Sequence, residues 1–264
     1  MLFGEIDAPG AIPIMMQLNH KLYDHFSDQA QQINVEVLSV GLGYTAATTS
    51  DGGIGIAYTY FQEKKSCMVL NQAFDYESRP AIELLEKIKS DNSVERSMAL
   101  ALVNALNYKD ALKLPEDKYN TILSEKFGIR KGTKVAMVGF FGPLVKLFEE
   151  KKVSLEILDK SRKLGRAKDF YQKLSIWAEV LLLTSTSILN NTTENILAHA
   201  GGQLKTVMLG PSTPMVGQVF DHLPVHMLAG TVPLDKDGIL RAVRHGAGTP
   251  ILHRFSRKSY LSLS

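Results

Sequence analysis

A chain of 264 residues, 45% of them hydrophobic, is long enough for one large domain or two modest ones. Its 30 basic and 27 acidic residues leave a net charge of +3, which is too small to indicate a nucleic-acid-binding protein. The single cysteine, Cys67, excludes an internal disulfide and a cysteine-based zinc cage.

Several features favour a cytoplasmic protein. Acidic residues near the N-terminus and the lack of a basic region before an apolar core argue against a secretory signal. No apolar run approaches the length of a membrane span. Cys67 lies in the apolar run 67–70, where a buried small hydrophobe is expected rather than a nucleophile. We expect a reducing compartment, no membrane insertion and no nucleic-acid partner; whether the chain forms a homo-oligomer stays open.

The first half of the chain begins with a helix and an antiparallel hairpin or meander. Apolar residues recur at helical spacing over residues 17–32. Strand patterns follow at 35–40 and 54–60, separated by a stretch of small residues, 44–50, and the turn Asp51-Gly-Gly53.

Two more helices are predicted before residue 110. The first spans 80–89 and begins with a proline, and the second spans 93–107. Asn92 and Glu95 form the pattern of a capping box at the start of the second, whose apolar stripe predicts one buried face. The first half is therefore predicted to be an α+β unit.

After a charged segment at 114–133, read as a linker, the pattern changes to alternating strands and helices. Continuous apolar strands of this kind suit a parallel sheet that is buried on both faces. Five parallel strands are predicted, near residues 134–139, 154–158, 179–184, 206–209 and 225–228. Helices are expected near residues 143–151, 194–200, 215–220 and 236–245. Three basic residues near the C-terminus are read as a solvated end: Arg254, Arg257 and Lys258.

The first strand–helix–strand unit of this half resembles a dinucleotide-binding unit. Its first strand ends at Gly139, and Asp159 follows the second strand 20 residues later, where such folds often place a ribose-binding acid. However, Gly139-x-x-Gly142 is only part of the G-x-G-x-x-G pattern, and Phe140 and Phe141 occupy positions where a pyrophosphate needs bare backbone. A glycine turn that only packs strand on helix is favoured over an NAD site.

Ligands of open α/β sheets bind just beyond the carboxyl ends of the strands. These ends supply hydroxyls, backbone N–H groups and one carboxylate, which suit a small polar or anionic ligand. The candidate ligand-binding residues of this half are Gly139, Phe140, Gly142, Pro143, Asp159, Thr184, Thr186, Asn190, Gly210, Pro211, Ser212, Gly230 and Thr231. Plain alternatives stay open: Ser212 and Asn190 could only cap helices, and Asp159 could be a solvated acid.

No metal cage is visible in the sequence. The seven histidines are scattered, and Pro224 between His222 and His226 argues against their sharing one helical face. No H-E-x-x-H, G-x-S-x-G or P-loop motif is present.

A set of short motifs resembles a family of uncharacterised prokaryotic proteins whose suggested role is heavy-metal chelation. The motifs occur in family order and cover nearly the whole chain. They are the segments 41–45, 55–59, 138–144, 184–192, 209–214 and 228–232. The first of them adds Gly41 and Thr45 to the candidate ligand-binding residues.

This resemblance implies a fold and the location of a site. It implies an α+β domain similar to the amino-terminal domain of enolases, residues 1–130, and a Rossmann-like α/β domain with a mostly parallel sheet, residues 131–264. It also implies a ligand site in the cleft between them. The motifs are rich in Gly, Thr, Ser and Asn and poor in soft metal ligands, so a bound small chelator or a few hard oxygen donors are expected to hold any metal.

Three functions follow from these observations. The first is binding of a small polar ligand or metal chelate in the interdomain cleft, in heavy-metal chelation or metal homeostasis. The second is a transferase that uses a nucleoside cofactor such as S-adenosylmethionine, with Asp159 on the ribose hydroxyls. The third is a non-catalytic regulatory subunit. Whether the chain is an enzyme is left open.

The substitution Gly142→Val is expected to abolish ligand binding, at a stability cost of about 1–3 kcal/mol.

Overall fold

The computed structural model of the protein describes residues 17–61, 75–119 and 121–263. Cys67 and the run 67–70 lie outside the described residues. Within them the chain forms a three-stranded antiparallel sheet and a six-stranded, mostly parallel mixed sheet. None of the described helices is both long and apolar enough to cross a bilayer.

The first sheet is the predicted meander, preceded by the predicted helix. Its elements are α1 (Gln17–Gln32), β1 (Val35–Val40), β2 (Tyr44–Thr49) and β3 (Ile54–Tyr58). β2 lies in the middle and pairs antiparallel with both neighbours. The turn between β2 and β3 contains Gly52 at φ +89°, which glycine adopts without strain. β3 ends two residues earlier than the predicted strand.

The helices that follow are short except for one. They are α2 (Ala81–Leu85), which continues into a 3₁₀ turn (Glu86–Lys89), α3 (Ser93–Leu106), α4 (Tyr108–Ala111) and α5 (Ile122–Lys126). Asn92 caps α3 as predicted, because its side chain accepts a hydrogen bond from the Val94 N–H at 2.9 Å. The capping box is not completed, since the Glu95 carboxylate accepts from the Ser90 hydroxyl instead.

Helix α3 is buried on every side, including its polar residues Arg96 and Ser97. The prediction of a single buried face was wrong because α3 lies between the first sheet and the second half of the chain. Its side chains share a core with Leu189, Met208 and Met215 from the second half. A helix in that position has no face left for water.

Strand β3 lies directly on the backbone of α3. A Cβ atom at Gly55 would lie 2.2 Å from the carbonyl oxygen of Ala101 and 2.2 Å from the amide nitrogen of Ala105. At Gly53 the same atom would lie 2.3 Å from the Ala105 oxygen. Only glycine permits this approach.

The second sheet alternates with helices along the chain. Its strands are β4 (Lys134–Val138), β5 (Ser154–Leu158), β6 (Val180–Thr184), β7 (Lys205–Leu209), β8 (Met227–Pro233) and β9 (Ser256–Ser262). The accompanying helices are α6 (Gly142–Glu150), α7 (Ala167–Ile176), α8 (Thr186–Leu189), α9 (Thr193–Leu197), α10 (Lys236–Arg244) and α11 (Thr249–Leu252). The helix predicted near 215–220 is a 3₁₀ turn, Gly217–Phe220.

The strand order of this sheet is β5-β4-β6-β7-β8-β9. Strands β4 to β8 are parallel, which confirms the five predicted parallel strands. Because β5 lies on one side of β4 and β6 on the other, the order reverses between β4 and β6. In doubly wound sheets a crevice for ligands opens at such a reversal.

Strand β9, which pairs antiparallel with β8, was missed from the sequence. Arg257 and Lys258 belong to it, so their reading as a solvated end was wrong. The Arg257 guanidinium donates to the carbonyl oxygens of Leu112 at 2.5 Å and Leu114 at 3.0 Å. Arg254, just before the strand, is exposed.

The first sheet is buried on both faces. Every residue of β2 is buried. Ala47 belongs to the core that includes α3, whereas its neighbour Ala46 packs with Ile239 and Val243 of α10. This alternation follows from the two-residue period of a strand. Helices from both halves of the chain therefore enclose the first sheet, and the two halves share their cores.

The close contact between β3 and α3 predicts that Gly55→Ala destabilises the protein by about 2–4 kcal/mol, because backbone atoms cannot yield to the new methyl group. Urea unfolding of the full chain measures this. Gly202→Ala is the matched control, since a Cβ there meets nothing within 4 Å. A loss at Gly55 no larger than that of the control would contradict the contact.

Candidate functional site

The carboxyl ends of four neighbouring strands, β5, β4, β6 and β7, form one continuous edge, which we call the rim. The rim comprises Gly139–Pro143, Asp159, Thr184–Thr186 and Gly210–Ser212. It includes the reversal of strand order between β4 and β6. Most of the ligand-binding residues predicted in the second half of the chain lie on it.

At the end of β4, Gly139 turns the chain into α6. It has φ +89°, and a Cβ atom there would lie 3.0 Å from the Cβ of Thr184 on the adjacent strand. Its N–H donates to the Leu158 carbonyl at 2.9 Å, which ties β4 to β5. Gly139 therefore has a structural reason to be glycine.

Gly142 has no such structural reason. It is the first residue of α6, followed by exposed Pro143, and a Cβ atom would lie 3.5 Å from a ring atom of Phe140, an ordinary contact. Pro143 has no N–H, and the Leu144 N–H donates to the Phe141 carbonyl at 2.9 Å. Of the first three residues of α6, only Gly142 therefore has an N–H left to offer to the rim.

The ends of β6 and β7 carry hydroxyls and a second glycine turn. The hydroxyls of Thr184 and Thr186 lie 3.0 Å apart, and both residues are half-buried. Ser185, between them, donates its N–H to the Leu209 carbonyl at 2.9 Å. Gly210 has φ +130°, and a Cβ there would lie 2.7 Å from the Ser185 hydroxyl oxygen. The chains of β6 and β7 therefore leave the sheet in close contact.

Ser212 joins the rim to the first sheet. Its buried hydroxyl accepts a hydrogen bond from the Tyr58 N–H at 2.7 Å, and its carbonyl accepts from Asn104 of α3 at 3.4 Å. The alternative that Ser212 caps an α-helix was wrong, since a 3₁₀ turn follows instead and it starts at Gly217. Pro211 precedes this junction.

Asn190 makes a second junction between the two halves. Its amide donates to the Tyr60 hydroxyl at 3.3 Å and its carbonyl accepts from the Thr192 hydroxyl at 2.5 Å. Beside it, the buried guanidinium of Arg96 donates to the Leu189 carbonyl at 2.7 Å. Burial lowers the pKa of Arg96, but arginine stays charged at any physiological pH.

Asp159 lies at the end of β5 and is half-buried. One oxygen of its carboxylate accepts from the Ser161 hydroxyl at 2.7 Å and from the Arg162 N–H at 3.0 Å. These bonds organise the loop that follows β5. A contact between Asp159 and a ribose stays a prediction.

Three tyrosines that were not predicted as site residues form a cluster next to Ser212 of the rim: Tyr44 and Tyr58 of the first sheet, and Tyr60 just after β3. Tyr58 and Tyr60 are in edge-to-face contact at 6.4 Å, and Tyr44 approaches Tyr58 at 5.9 Å. Burial raises the pKa of Tyr44, whose hydroxyl lies 2.6 Å from that of Thr249. Tyr44 and Tyr58 lie in the motifs 41–45 and 55–59, but the sequence does not show that these tyrosines approach the second sheet.

Four predicted residues are not among the rim residues: Gly41, Thr45, Gly230 and Thr231. A Cβ at Gly41 would lie 2.2 Å from the Val243 oxygen, and the buried Thr45 hydroxyl lies 2.9 Å from that of Thr59. Gly230 and Thr231 were placed at a strand end, which was wrong, because β8 continues to Pro233 through its pairing with β9. A Cβ at Gly230 would lie 2.8 Å from the Met215 sulfur. The contribution of these four residues to ligand binding stays a prediction.

Two surface cavities lie elsewhere. One, of about 420 Å³, lies between β5 and α7, and the other, of about 460 Å³, is lined by residues near Gly128 and Glu179. Neither is lined by a predicted ligand-binding residue. The ligand site in an interdomain cleft, inferred from the resemblance, stays a prediction.

Comparison with known proteins now identifies the family. Residues 122–262 match the family model DUF364, described as "Putative heavy-metal chelation", and residues 23–107 match DUF4213, which carries the same description. The first match alone spans more than half of the chain. This protein belongs to the DUF364 family. The family resemblance inferred from the sequence motifs is thereby confirmed.

Relatives with the same overall architecture are known. An uncharacterized protein of Methanocaldococcus jannaschii is 20% identical over 93% of this chain and 96% of its own length. Crystal structures of DUF364 proteins of unknown function from Desulfitobacterium hafniense and Pyrococcus horikoshii superpose with TM-scores of 0.75 and 0.74, each at 19% identity. They cover 94% and 95% of this chain and 99% and 100% of their own chains. The fold is therefore shared along nearly its full length.

The described residues do not fit a protein cage for a heavy metal. Across 17–61, 75–119 and 121–263, no group of three or more His, Cys, Asp or Glu side chains could hold a metal ion. The rim offers hydroxyls and the Asp159 carboxylate, which are hard oxygen donors, whereas soft metals prefer thiolates. Burial is the main cause that lowers the pKa of His222 and of His226.

The geometry of the rim glycines revises the expected stability cost of Gly142→Val. We expect this substitution to change the free energy of unfolding by less than about 1 kcal/mol, since valine fits a helix better than glycine does. Gly139→Val should cost about 1–3 kcal/mol, because it forces a β-branched residue to positive φ. Chemical denaturation of both variants measures the difference, and equal losses would contradict it.

Proposed function

We propose that this protein binds a small polar ligand at the rim, beside Tyr58 of the first sheet and Tyr60 just after it. The observation that carries the proposal is the meeting of the β4 and β6 ends at the reversal of strand order, where a Cβ atom at Gly139 would lie 3.0 Å from that of Thr184. Crevices at such reversals and at domain interfaces are common ligand sites.

The residues of the rim support a polar ligand. Thr184 and Thr186 present two half-buried hydroxyls that bond each other at 3.0 Å; the one that donates in this bond can only accept a further hydrogen bond, whereas the other can still donate one. The hydrogen bonds of Ser212 and Asn190 hold the rim and the tyrosines of the first sheet together. A preformed site of this kind loses little entropy when it binds a ligand.

We connect this site to the family description through the ligand. Because the described residues lack a cluster of soft donors, a heavy metal would enter as a complex with a small chelator bound at the rim, or on hard oxygen donors. This binding would give the protein a role in metal homeostasis. We further propose that the N-terminal unit, 1–130, is similar to the amino-terminal domain of enolases and that the unit 131–264 is Rossmann-like.

A second candidate is a transferase that binds a nucleoside cofactor. The observation in its favour is that Asp159 follows β5, the strand next to β4. The Gly139 N–H at the end of β4 donates to the carbonyl of Leu158, the residue before Asp159. The local hydrogen bonds of Asp159 to Ser161 and Arg162 weaken this candidate, because they already use one carboxylate oxygen.

A ligand screen on the full chain tests both candidates. Thermal shift and calorimetry with metal ions, metal–polycarboxylate chelates and adenosine compounds should identify at least one ligand that stabilises the folded protein. The double variant Thr184→Val/Thr186→Val should weaken its binding about tenfold, as expected for lost buried hydrogen bonds. Asp159→Asn keeps an oxygen for the hydrogen bonds from Ser161 and Arg162. It should impair binding if the carboxylate holds a ribose or a metal ion but not if the ligand binds elsewhere on the rim.

Thr206→Val is the matched control for these variants. Thr206 lies on β7, is fully buried and has no hydrogen-bond partner for its hydroxyl within the described residues. Its replacement should leave affinity unchanged. Equal affinities of the double variant and the control would contradict ligand binding at the rim, as would a complete screen with no stabilising ligand.

A further inference from the structure

The loop between β5 and α7 carries a concentration of positive charge that the proposed function has not used. Together with the first turn of α7, it contains five basic residues and no acidic residue between Asp159 and Asp169, although the whole chain has a net charge of only +3. The five basic residues are Lys160, Arg162, Lys163, Arg166 and Lys168. All are exposed, and none forms an ion pair with another of the described residues.

This loop is ordered by its own backbone. Asp159 and Leu164 exchange two hydrogen bonds, of 3.0 and 2.9 Å, which close a tight turn. Gly165 follows at φ +70°, and a Cβ atom there would lie 2.4 Å from the Ile157 carbonyl oxygen of β5. The loop is therefore held against the edge strand of the sheet, and its charged side chains start from fixed positions.

Arg162 brings one of these charges to the rim. Its guanidinium carbon lies 4.5 Å from the centre of the ring of Phe140, the residue after Gly139. Arginine stacks well on an aromatic face and still presents its N–H groups at its edge. Phe140 thus places a planar cation beside the first turn of α6.

Two of the remaining cations line the cavity of about 420 Å³ between β5 and α7. These are Lys163 and Arg166, and Lys173 on the same wall is already paired with Glu156. Like charges held close together repel one another, and an anion bound near them relieves that repulsion. A solvated charged face would need neither a fixed loop nor an aromatic platform at the rim.

We propose that the ligand of the rim carries an anionic group, a phosphate or a carboxylate, and that Arg162 binds this group while the other four cations of the loop attract it. The inference rests on the proposed function, because it names the chemical class of the ligand at the same rim. Arg162 forms charge-assisted hydrogen bonds to the anion, and the geometry of guanidinium permits two in parallel.

Calorimetric titration of the full chain with pyrophosphate and with citrate tests this inference. We expect saturable binding of at least one of them, weakening as the salt concentration rises. Arg162→Gln should raise its Kd about tenfold, the loss expected for a charged hydrogen bond. Arg162→Lys should recover only part of the affinity, since lysine keeps the charge but not the planar fork.

Arg244→Gln is the charge-matched control. Arg244 is exposed at the end of α10, on the side of the first sheet, and its replacement removes the same unit of charge. Its Kd should equal that of the unaltered chain. An equal effect of Arg162→Gln and Arg244→Gln, or no saturable binding of either anion, would overturn the inference.

The Thr184→Val/Thr186→Val variant separates this inference from the proposed function. If an uncharged ligand binds at the rim and depends on the two threonines while neither anion binds, the proposed function stands and the inference fails. If anion binding depends on Arg162 but not on the threonines, the loop is an anion site separate from the rim hydroxyls, which contradicts the proposed function. Anion binding that depends on Arg162 and on the threonines supports the inference and the proposed function together.

Discussion

The approach of β3 to the backbone of α3 is the contact on which the rest of the structure depends. Gly53 and Gly55 have no room for a side chain above α3. With β3 seated there, α3 is enclosed between the first sheet and the second half of the chain. Tyr58 follows on the same strand and reaches Ser212 on the rim. A change in the depth of β3 on α3 would therefore move the first sheet relative to the rim.

The interface between the two halves combines tight packing with a few polar junctions. Asn104 and Asn107 of the α3 region donate to backbone carbonyls of β3 and of the second half. Arg96 does the same for the carbonyl just before Asn190. Side-chain donors on backbone acceptors satisfy groups that burial would otherwise leave unpaired, and they fix orientation more closely than apolar contacts do. The rim and the tyrosines beside it are accordingly positioned as one unit.

Much of this fold could be predicted from the sequence because its periodic signals are strong. The bounds of α1 and β1 agree with the pattern, and the five parallel strands are continuous apolar runs. Strand β9 could not be found in this way, since an edge strand with Arg257 and Lys258 reads as a solvated segment. The burial of all sides of α3 depends on tertiary contacts that a helical pattern does not show.

The candidate site was predictable only in part, for a similar reason. The rule for parallel sheets placed Gly139, Thr184 and Gly210 along one edge, and the structure brings them there. The same kinds of residue at Gly41 and Gly230 instead face a carbonyl oxygen and a methionine sulfur. No sequence pattern distinguishes a glycine that admits a ligand from one that admits a neighbouring chain. The tyrosines beside the rim come from a sheet whose placement the sequence does not give.

A crystal structure of the full chain, purified from cells without added ligand, tests the central claim most directly. The account predicts non-protein density within hydrogen-bonding distance of the Thr184 and Thr186 hydroxyls, beside Gly139. A ligand bound elsewhere, with no density at these two hydroxyls, would contradict the assignment of the rim as the ligand site.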